Sequence, residues 1–425
     1  MVGIEDLERF NPWWKSGKVR EEWLKEYKRK VYFEIEKYID KRQIILIWGL
    51  RRVGKTTLLF QLIQKLLDSN VNPKFIFYFS FDEISFDLKE VLEAYQKLIL
   101  NKTFDEIKER VYIFLDEVHK VKDWENKIKV YYDLYPNIKF FIAGSASISL
   151  RRKSKESLAG RVIDFLVKPL SFEEFLEMKG KDVKKIKENP DLWKRELIPL
   201  FYQYLKYGSF PELVNESDEE FAKKYILNNV IERIIYKDIP SEFGIKDVEL
   251  LKNIVYVLAK NPGMIVSYKE FAKNFGRDQR TISNYFEYLE FGLIIKLLYN
   301  YRGSSVASFR KLKKAYFTTP NIIFALNDNL DRVLPFMLEN AILMETDSKF
   351  FYKNNFEVDF VLFENLKIIP IEVKKNEKDF EQLKKFIEKF GEKVKKGILI
   401  TFEQDGKIDE IEVIPAWKFA LLKDI

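Results

Sequence analysis

Gly49-Leu50-Arg51-Arg52-Val53-Gly54-Lys55-Thr56-Thr57 follows the pattern G-x-x-x-x-G-K-[ST]. A loop of this kind binds phosphate because its backbone curls until successive N–H groups face one anion, and glycine permits the curl at little steric cost. Lys55 then neutralises charge on the β- and γ-phosphates, and the Thr56 hydroxyl reaches a magnesium ion. The stretch from Gly49 to Thr57 is therefore the expected nucleotide cradle.

A magnesium-bound triphosphate needs a further acidic partner. Asp116, in VYIFLDEVH, ends an apolar run at the carboxyl edge of a strand, where ligands collect in open α/β sheets. Its carboxylate is expected to hold the metal, and the adjoining Glu117 to polarise the attacking water as general base. A strand-end acidic pair that merely meets solvent is the competing interpretation. Ser145, after Ala143-Gly144, would place a hydroxyl near the γ-phosphate, although a serine capping the next segment is equally consistent with that position.

These residues need a scaffold of strands and helices. Residues 43 to 68 read as strand, loop, helix; further apolar runs lie at 75 to 81, 111 to 115 and 138 to 144, with helix-like stretches such as 123 to 134 between them. Short buried strands alternating with helices predict a parallel sheet covered on both faces. Because the 75 to 81 run falls between the loop strand and the Asp116 strand, a strand is expected to be inserted between these two. That insertion, with a Glu after the Asp, resembles the ATPase branch of P-loop proteins rather than the kinase or GTPase branch.

The chain has 425 residues, 47% of them apolar, enough for more than one core. It lacks cysteine and has a single histidine, His119, which excludes disulfides, thiolate zinc sites, iron–sulfur clusters and His-rich metal sites. Net charge is +7, compatible with nucleic acid. No apolar run approaches the roughly 20 residues that span a bilayer, and the start, MVGIEDLERFNPWWK, is charged where a signal peptide is greasy. A soluble, cytoplasmic protein is expected.

NPWW at 11 to 14, GLRRVGKTT, FLDEVH, FIAGSAS, LAGR and PLSFEEF together resemble archaeal and bacterial AAA+ ATPases whose carboxy-terminal half was long catalogued as a domain of unknown function. The resemblance covers nearly the whole chain. It implies a AAA+ ATPase domain over 1–180, a helical lid or linker over 181–245, a winged helix over 246–318 and a PD-(D/E)XK nuclease-like domain over 319–425. In that family the LAGR segment follows the sensor strand, so the resemblance makes Arg161 a candidate charge-stabilising arginine, within the chain or from a neighbouring subunit. His119 makes DEVH look like a helicase box, but no second nucleotide-binding core follows.

The carboxy-terminal half has its own pattern. Residues 247 to 301 read as helix, Asn261-Pro262-Gly263 turn, a short helix from Tyr268 to Asn274, a second helix from Gln279 to Phe291 and a β-like run, the order of a winged helix. Arg277, Gln279, Arg280, Thr281, Ser283 and Asn284 would face DNA at the start of the second helix, with Arg302, Arg310, Lys311, Lys313 and Lys314 in or after the wing. Winged helices also pack on protein, so a protein partner or a homo-oligomer stays open.

In the last third, strand-like runs at 349 to 353, 356 to 363 and 368 to 374 carry Glu357-Val358-Asp359 and Glu372-Val373-Lys374, with Glu339 on the preceding helix. If residues Glu364 to Lys367 close a hairpin, Asp359 faces Glu372 and Glu357 faces Lys374. Opposed like charges cost about 0.2–1 kcal/mol unless a cation or shared proton relieves them. The set resembles the PD-(D/E)XK core, by which Asp359 and Glu372 would ligate Mg²⁺, Glu339 would support them and Lys374 would activate water or steady the phosphate. Glu-Val-Asp stands where that motif has Pro-Asp. A solvated hairpin face with Glu–Lys pairing is the other explanation.

The expected function is a Mg²⁺-dependent ATPase that couples nucleotide state to DNA-binding and nuclease-like domains. The alternative is a slow ATP switch that acts through partner binding.

Overall fold

The structure, a computed structural model, describes residues 2–82, 86–144, 157–302, 312–375 and 380–423. Contacts divide the chain into two units, Met1–Lys168 and Pro169–Ile425.

Among the described residues the first unit has five strands: β1 (Ile44–Gly49), β2 (Ile76–Ser80), β3 (Val111–Asp116), β4 (Ile138–Gly144) and β5 (Val162–Val167). They form one parallel sheet in the order β2-β3-β4-β1-β5. β1, β3 and β4 are buried at every position. Burial on both faces is why these strands read as continuous apolar runs rather than alternating ones. The loop after β1 leads into the helix Lys55–Asp68, which buries Leu58, Leu59, Leu62, Ile63 and Leu66 at helical spacing.

The strand between β1 and β3 is β4. The 75 to 81 run, expected there, instead forms β2 on the outer edge beside β3. Each parallel connection is a crossover long enough to pass over a neighbouring position, so chain order does not fix spatial order. The open edge of β2 is covered by the NPWW segment. The Asn11 side chain accepts from Tyr78 N at 2.7 Å and donates to Tyr78 O at 2.8 Å, as a strand partner would. The indole N–H groups of Trp13 and Trp14 both donate to Ile76 O, at 2.9 and 3.0 Å. An edge strand so occupied offers no free ladder for a second chain.

The second unit is built on a nine-stranded sheet among its described residues, ordered β13-β14-β12-β11-β10-β9-β7-β8-β6. These strands are β6 (Ile265–Val266), β7 (Ile295–Asn300), β8 (Lys313–Phe317), β9 (Phe350–Lys353), β10 (Glu357–Glu364), β11 (Lys367–Val373), β12 (Gly397–Thr401), β13 (Gly406–Ile408) and β14 (Ile411–Pro415). Helices Tyr268–Phe275 and Gln279–Phe291 start where expected, because the Ser267 and Asp278 side chains accept from Glu270 N and Thr281 N.

The segments expected as separate domains over 246–318 and 319–425 share this one sheet. β7 runs parallel to β9, with Tyr299 opposite Phe350 and Asn300 opposite Phe351. The fully buried Asn300 amide fastens the junction, donating to Lys353 O at 2.8 Å and accepting from Lys353 N at 2.9 Å. The β10–β11 hairpin pairs Phe360 with Ile371 through to Glu364 with Lys367, the expected register. Its turn is tighter than a four-residue loop: Asn365 (φ 47°) and Leu366 (φ 68°) alone turn the chain in left-handed conformations, as in a type I′ hairpin.

Candidate functional site

The loop between β1 and its helix owes its shape to a few residues. Gly54 (φ 94°) and Arg52 (φ 64°) are left-handed, which lets the backbone curl back on itself. Gly49 is required for a different reason: a Cβ there would lie 2.3 Å from the Val167 carbonyl oxygen of β5. Leu50 and Val53 are buried, so their side chains prop the loop from beneath and only their backbone is available to an anion. The buried Lys55 ammonium donates to the carbonyls of Gly49 (3.1 Å) and Leu50 (2.9 Å), which keeps it across the loop. Arg51, Arg52 and Thr57 complete the stretch on less buried positions.

Thr56 and Asp116 meet. The Thr56 hydroxyl donates to Asp116 Oδ2 at 2.7 Å, and the Tyr78 hydroxyl of β2 donates to the same oxygen at 3.2 Å. Asp116 Oδ1 accepts the Glu117 N–H at 3.0 Å. Burial, with the adjoining Glu117 carboxylate, raises the Asp116 carboxyl to about 6. A hydroxyl and a carboxylate oxygen side by side are the hard donors that magnesium prefers. Glu117, the residue expected as general base, is left-handed (φ 52°) at the strand tip, and its Oε2 lies 3.3 Å from His119 Nδ1 without a hydrogen bond from that atom.

Two residues are unmarked by any motif. Arg29 is buried and donates to Val53 O (3.0 Å) and Lys168 O (2.7 Å), tying the loop to the end of β5. Tyr78 stands in a run otherwise of Phe, Ile and Ser; the only sequence signal was that a buried hydroxyl there must find a partner.

Ser145 lies outside the described residues, as do Arg310 and Lys311. Arg161 does not join the loop. It precedes β5, its carbonyl accepts Ile44 N at 2.8 Å, and Ile44 is at the amino end of β1 while Gly49 is at the other. Five steps at roughly 3.3 Å each put about 16 Å between them. Its guanidinium instead grips Asp133, Nε to Oδ1 at 2.8 Å and Nη2 to Oδ2 at 3.0 Å. An arginine acting on the same chain's phosphate is therefore not Arg161.

In the second unit, Gln279 and Arg280 are exposed at the start of their helix, and Ser283 and Asn284 are half-buried. Arg277 is committed to Asp247, Nη2 to Oδ2 at 2.7 Å, and Thr281 to Asp278 at 2.5 Å. Lys313 lies over the Tyr268 and Tyr299 rings. Lys314, expected on the wing, is buried in the acidic cluster of the last third.

That cluster joins Glu339, Glu357, Asp359 and Glu372 through Lys314, Tyr316 and Lys374. Asp359 N donates to Glu372 Oε2 at 3.2 Å, and Val373 N to Asp359 Oδ2 at 3.0 Å. Lys374 Nζ is 2.7 Å from Glu372 Oε1, while Lys314 Nζ is 2.5 Å from Glu357 Oε1 and 3.4 Å from Asp359 Oδ1. Tyr316 donates to Glu339 Oε2 at 3.1 Å. Burial, followed by the Asp359 charge, raises both Glu339 and Glu372 to about 8. For Lys314 burial pulls downward, but Tyr316, Asp359, Glu339 and Glu357 outweigh it and hold the ammonium well above its usual value. Among the described residues no three His, Cys, Asp or Glu side chains are grouped to hold a metal ion.

No helix among the described residues is long and apolar enough to cross a membrane. Residues 41–176 match the family described as AAA domain. Residues 198–332 and 337–419 match two domains of unknown function, DUF8612 and DUF4143. The uncharacterised protein MJ1544 of Methanocaldococcus jannaschii is 31% identical over 421 residues, covering 91% of this chain and 90% of the relative. MJ1637 of the same organism is 28% identical, with 92% and 87% covered, and an uncharacterised protein of Haemophilus influenzae is 28% identical, with 68% and 70% covered. The chain thus belongs to the same family as MJ1544, and its amino-terminal part is a P-loop domain of the ATP-binding AAA type.

Proposed function

We propose that the first unit binds ATP with magnesium and hydrolyses it, and that nucleotide state governs a DNA-contacting second unit. The observation that carries this reading is the 2.7 Å bond from Thr56 to Asp116 at the end of a loop whose lysine lies across its own carbonyls. Lys55 exchanges those carbonyls for β- and γ-phosphate oxygens. Thr56 and Asp116 hold the magnesium, which when bound neutralises phosphate charge. Glu117, at the strand tip beside Asp116, takes the proton of the attacking water.

Support for a DNA contact is the exposed Gln279–Arg280 start of a helix that follows a helix pair and leads into a hairpin, an order similar to a winged helix. The β10–β11 hairpin with Asp359, Glu372 and Lys374, and Glu339 on the 330–346 helix, is read as a nuclease-like fold. A second reading, a slow switch with an inactive scaffold, is favoured by the lysines that already face those carboxylates.

ATPase rates with and without duplex DNA separate the two. Stimulation of turnover by duplex DNA supports the first. Tight nucleotide retention with no stimulation by DNA supports the second. Absence of ATP binding that Lys55→Ala removes overturns both.

A further inference from the structure

A nuclease-like fold implies a divalent metal at Asp359 and Glu372, and the side chains present do not fit one. Asp359 Oδ1 faces Lys314 Nζ at 3.4 Å, and its Oδ2 accepts Val373 N–H at 3.0 Å. Glu372 Oε2 accepts Asp359 N–H at 3.2 Å, and its Oε1 pairs with Lys374 at 2.7 Å. Every carboxylate oxygen of the two expected ligands already faces a hydrogen-bond donor of the protein.

Lys314 is the unexpected member. It comes from β8, separated from β10 by β7 and β9. In a flat sheet three strand spacings would put about 14 Å between those backbones. The ammonium nonetheless reaches Glu357 Oε1, Asp359 Oδ1 and the Tyr316 hydroxyl, at 2.5, 3.4 and 3.2 Å. The residue is only 5% exposed. A magnesium-like ion requires oxygens converging at about 2.0–2.1 Å, and an ammonium already lodged against the same carboxylate repels it at short range.

We propose that Lys314 is the resident cation of this cluster, tying β8 to β10 and excluding divalent metal from Asp359 and Glu372 in the folded chain. Resting on the nuclease-like reading of the hairpin, the proposal assigns Lys314 the place where that fold would use a metal. Without its ammonium, Asp359 would lose the cation it faces, whereas Glu372 keeps Lys374 and Glu357 keeps Lys353. A divalent, oxygen-preferring ion from solution would then relieve Asp359.

The test is Mn²⁺ titration of the nucleotide-free full chain, followed by electron paramagnetic resonance. Wild type is expected to show no saturable site that Asp359→Asn removes. Lys314→Gln, which keeps length and loses charge, is expected to gain one, tighter by about tenfold or more, and the gain should vanish in the Lys314→Gln, Asp359→Asn double variant. A wild-type site lost in Asp359→Asn overturns the proposal, and so does folded Lys314→Gln with unchanged binding. The wild-type comparison leaves Lys314 intact, so it decides the matter even if that variant does not fold. Metal-dependent nicking lost in Asp359→Ala would also refute metal exclusion while leaving the nuclease-like reading standing. ATP calorimetry tests the P-loop independently.

Discussion

The Thr56 hydroxyl donates to the Asp116 carboxylate over 2.7 Å, although sixty residues separate them in the chain. If this pair holds magnesium and Lys55 the phosphates, the three side chains should fail differently. Lys55→Ala should abolish the calorimetric heat of ATP with or without Mg²⁺. Thr56→Ala and Asp116→Asn should weaken Mg·ATP by about 10–100-fold, the range of a lost charge-assisted contact, while metal-free ATP binding changes little. Equal losses with and without metal would show that Thr56 and Asp116 serve folding alone.

Tyr78 is a milder case. Tyr78→Phe keeps the ring in the sheet and removes one donor to Asp116 Oδ2, which retains Thr56. The expected cost is about 1 kcal/mol in urea denaturation, with the Mg²⁺ concentration for half-maximal turnover moved and ATP affinity without metal unchanged. Unaltered metal dependence would leave Tyr78 a packing residue.

Gly49→Ala tests the strand contact rather than the phosphate contact. A methyl at 2.3 Å from the Val167 oxygen must push β5 away from β1. Destabilisation of about 1–3 kcal/mol or more is expected, seen as a lower denaturation midpoint before any nucleotide is added. A variant of wild-type stability would mean that β5 yields without cost.

Lys139 supplies a pH signature. Its ammonium is buried and donates to the carbonyls of Tyr38, Lys41 and Gln43 at 2.8, 2.7 and 2.5 Å, and burial lowers its pKa to about 7. An unfolded lysine titrates near 10.4. Between those values the unfolded chain carries more protons, so this residue makes stability rise with pH, by at most about 1.4 kcal/mol per unit, and contributes no slope below about 7. Stability of wild type minus that of Lys139→Met, followed from pH 6 to 10, should show that rise. A flat difference would contradict it.

For the DNA contact, Arg280 and Arg277 should separate. Arg280 is exposed, whereas Arg277 is tied to Asp247. Arg280→Ala should lower duplex affinity and reduce the salt slope by about one phosphate's worth. Arg277→Ala should act mainly on stability, by loosening the 279–291 helix from Asp247. Fluorescence anisotropy across a salt series distinguishes these results, and identical slopes in wild type and Arg280→Ala would remove Arg280 from the interface.

What could be read in advance follows the range of the interactions. The loop from Gly49 to Thr57 is contiguous, so its spacing carries its geometry. Asp116 was legible because an apolar run that ends in a carboxylate marks a strand's carboxyl edge. The Asp359–Glu372 juxtaposition was legible too, since a short hairpin imposes its register on both strands. Strand order was not: β4 rather than β2 stands beside β1, a choice made by packing after long crossovers. For Arg161, the LAGR segment's place after the sensor strand does not say which end of β5 it adjoins, and the structure puts it at the end away from the loop of its own chain. Lys314 was read as a wing cation facing DNA because its partners lie on β10, three strands away, and leave no local pattern. Arg29 and Tyr78 act through long-range hydrogen bonds that leave no local pattern.

The junction of β7 with β9 bears on how the chain can be divided. A cut between residues 318 and 319 would fall inside a shared ladder, separating Asn300 from the Lys353 backbone groups that it satisfies. Each fragment would then present a raw row of N–H and C=O groups ready to stick to other copies. The natural seam for dissection lies instead near Lys168, where the two units part.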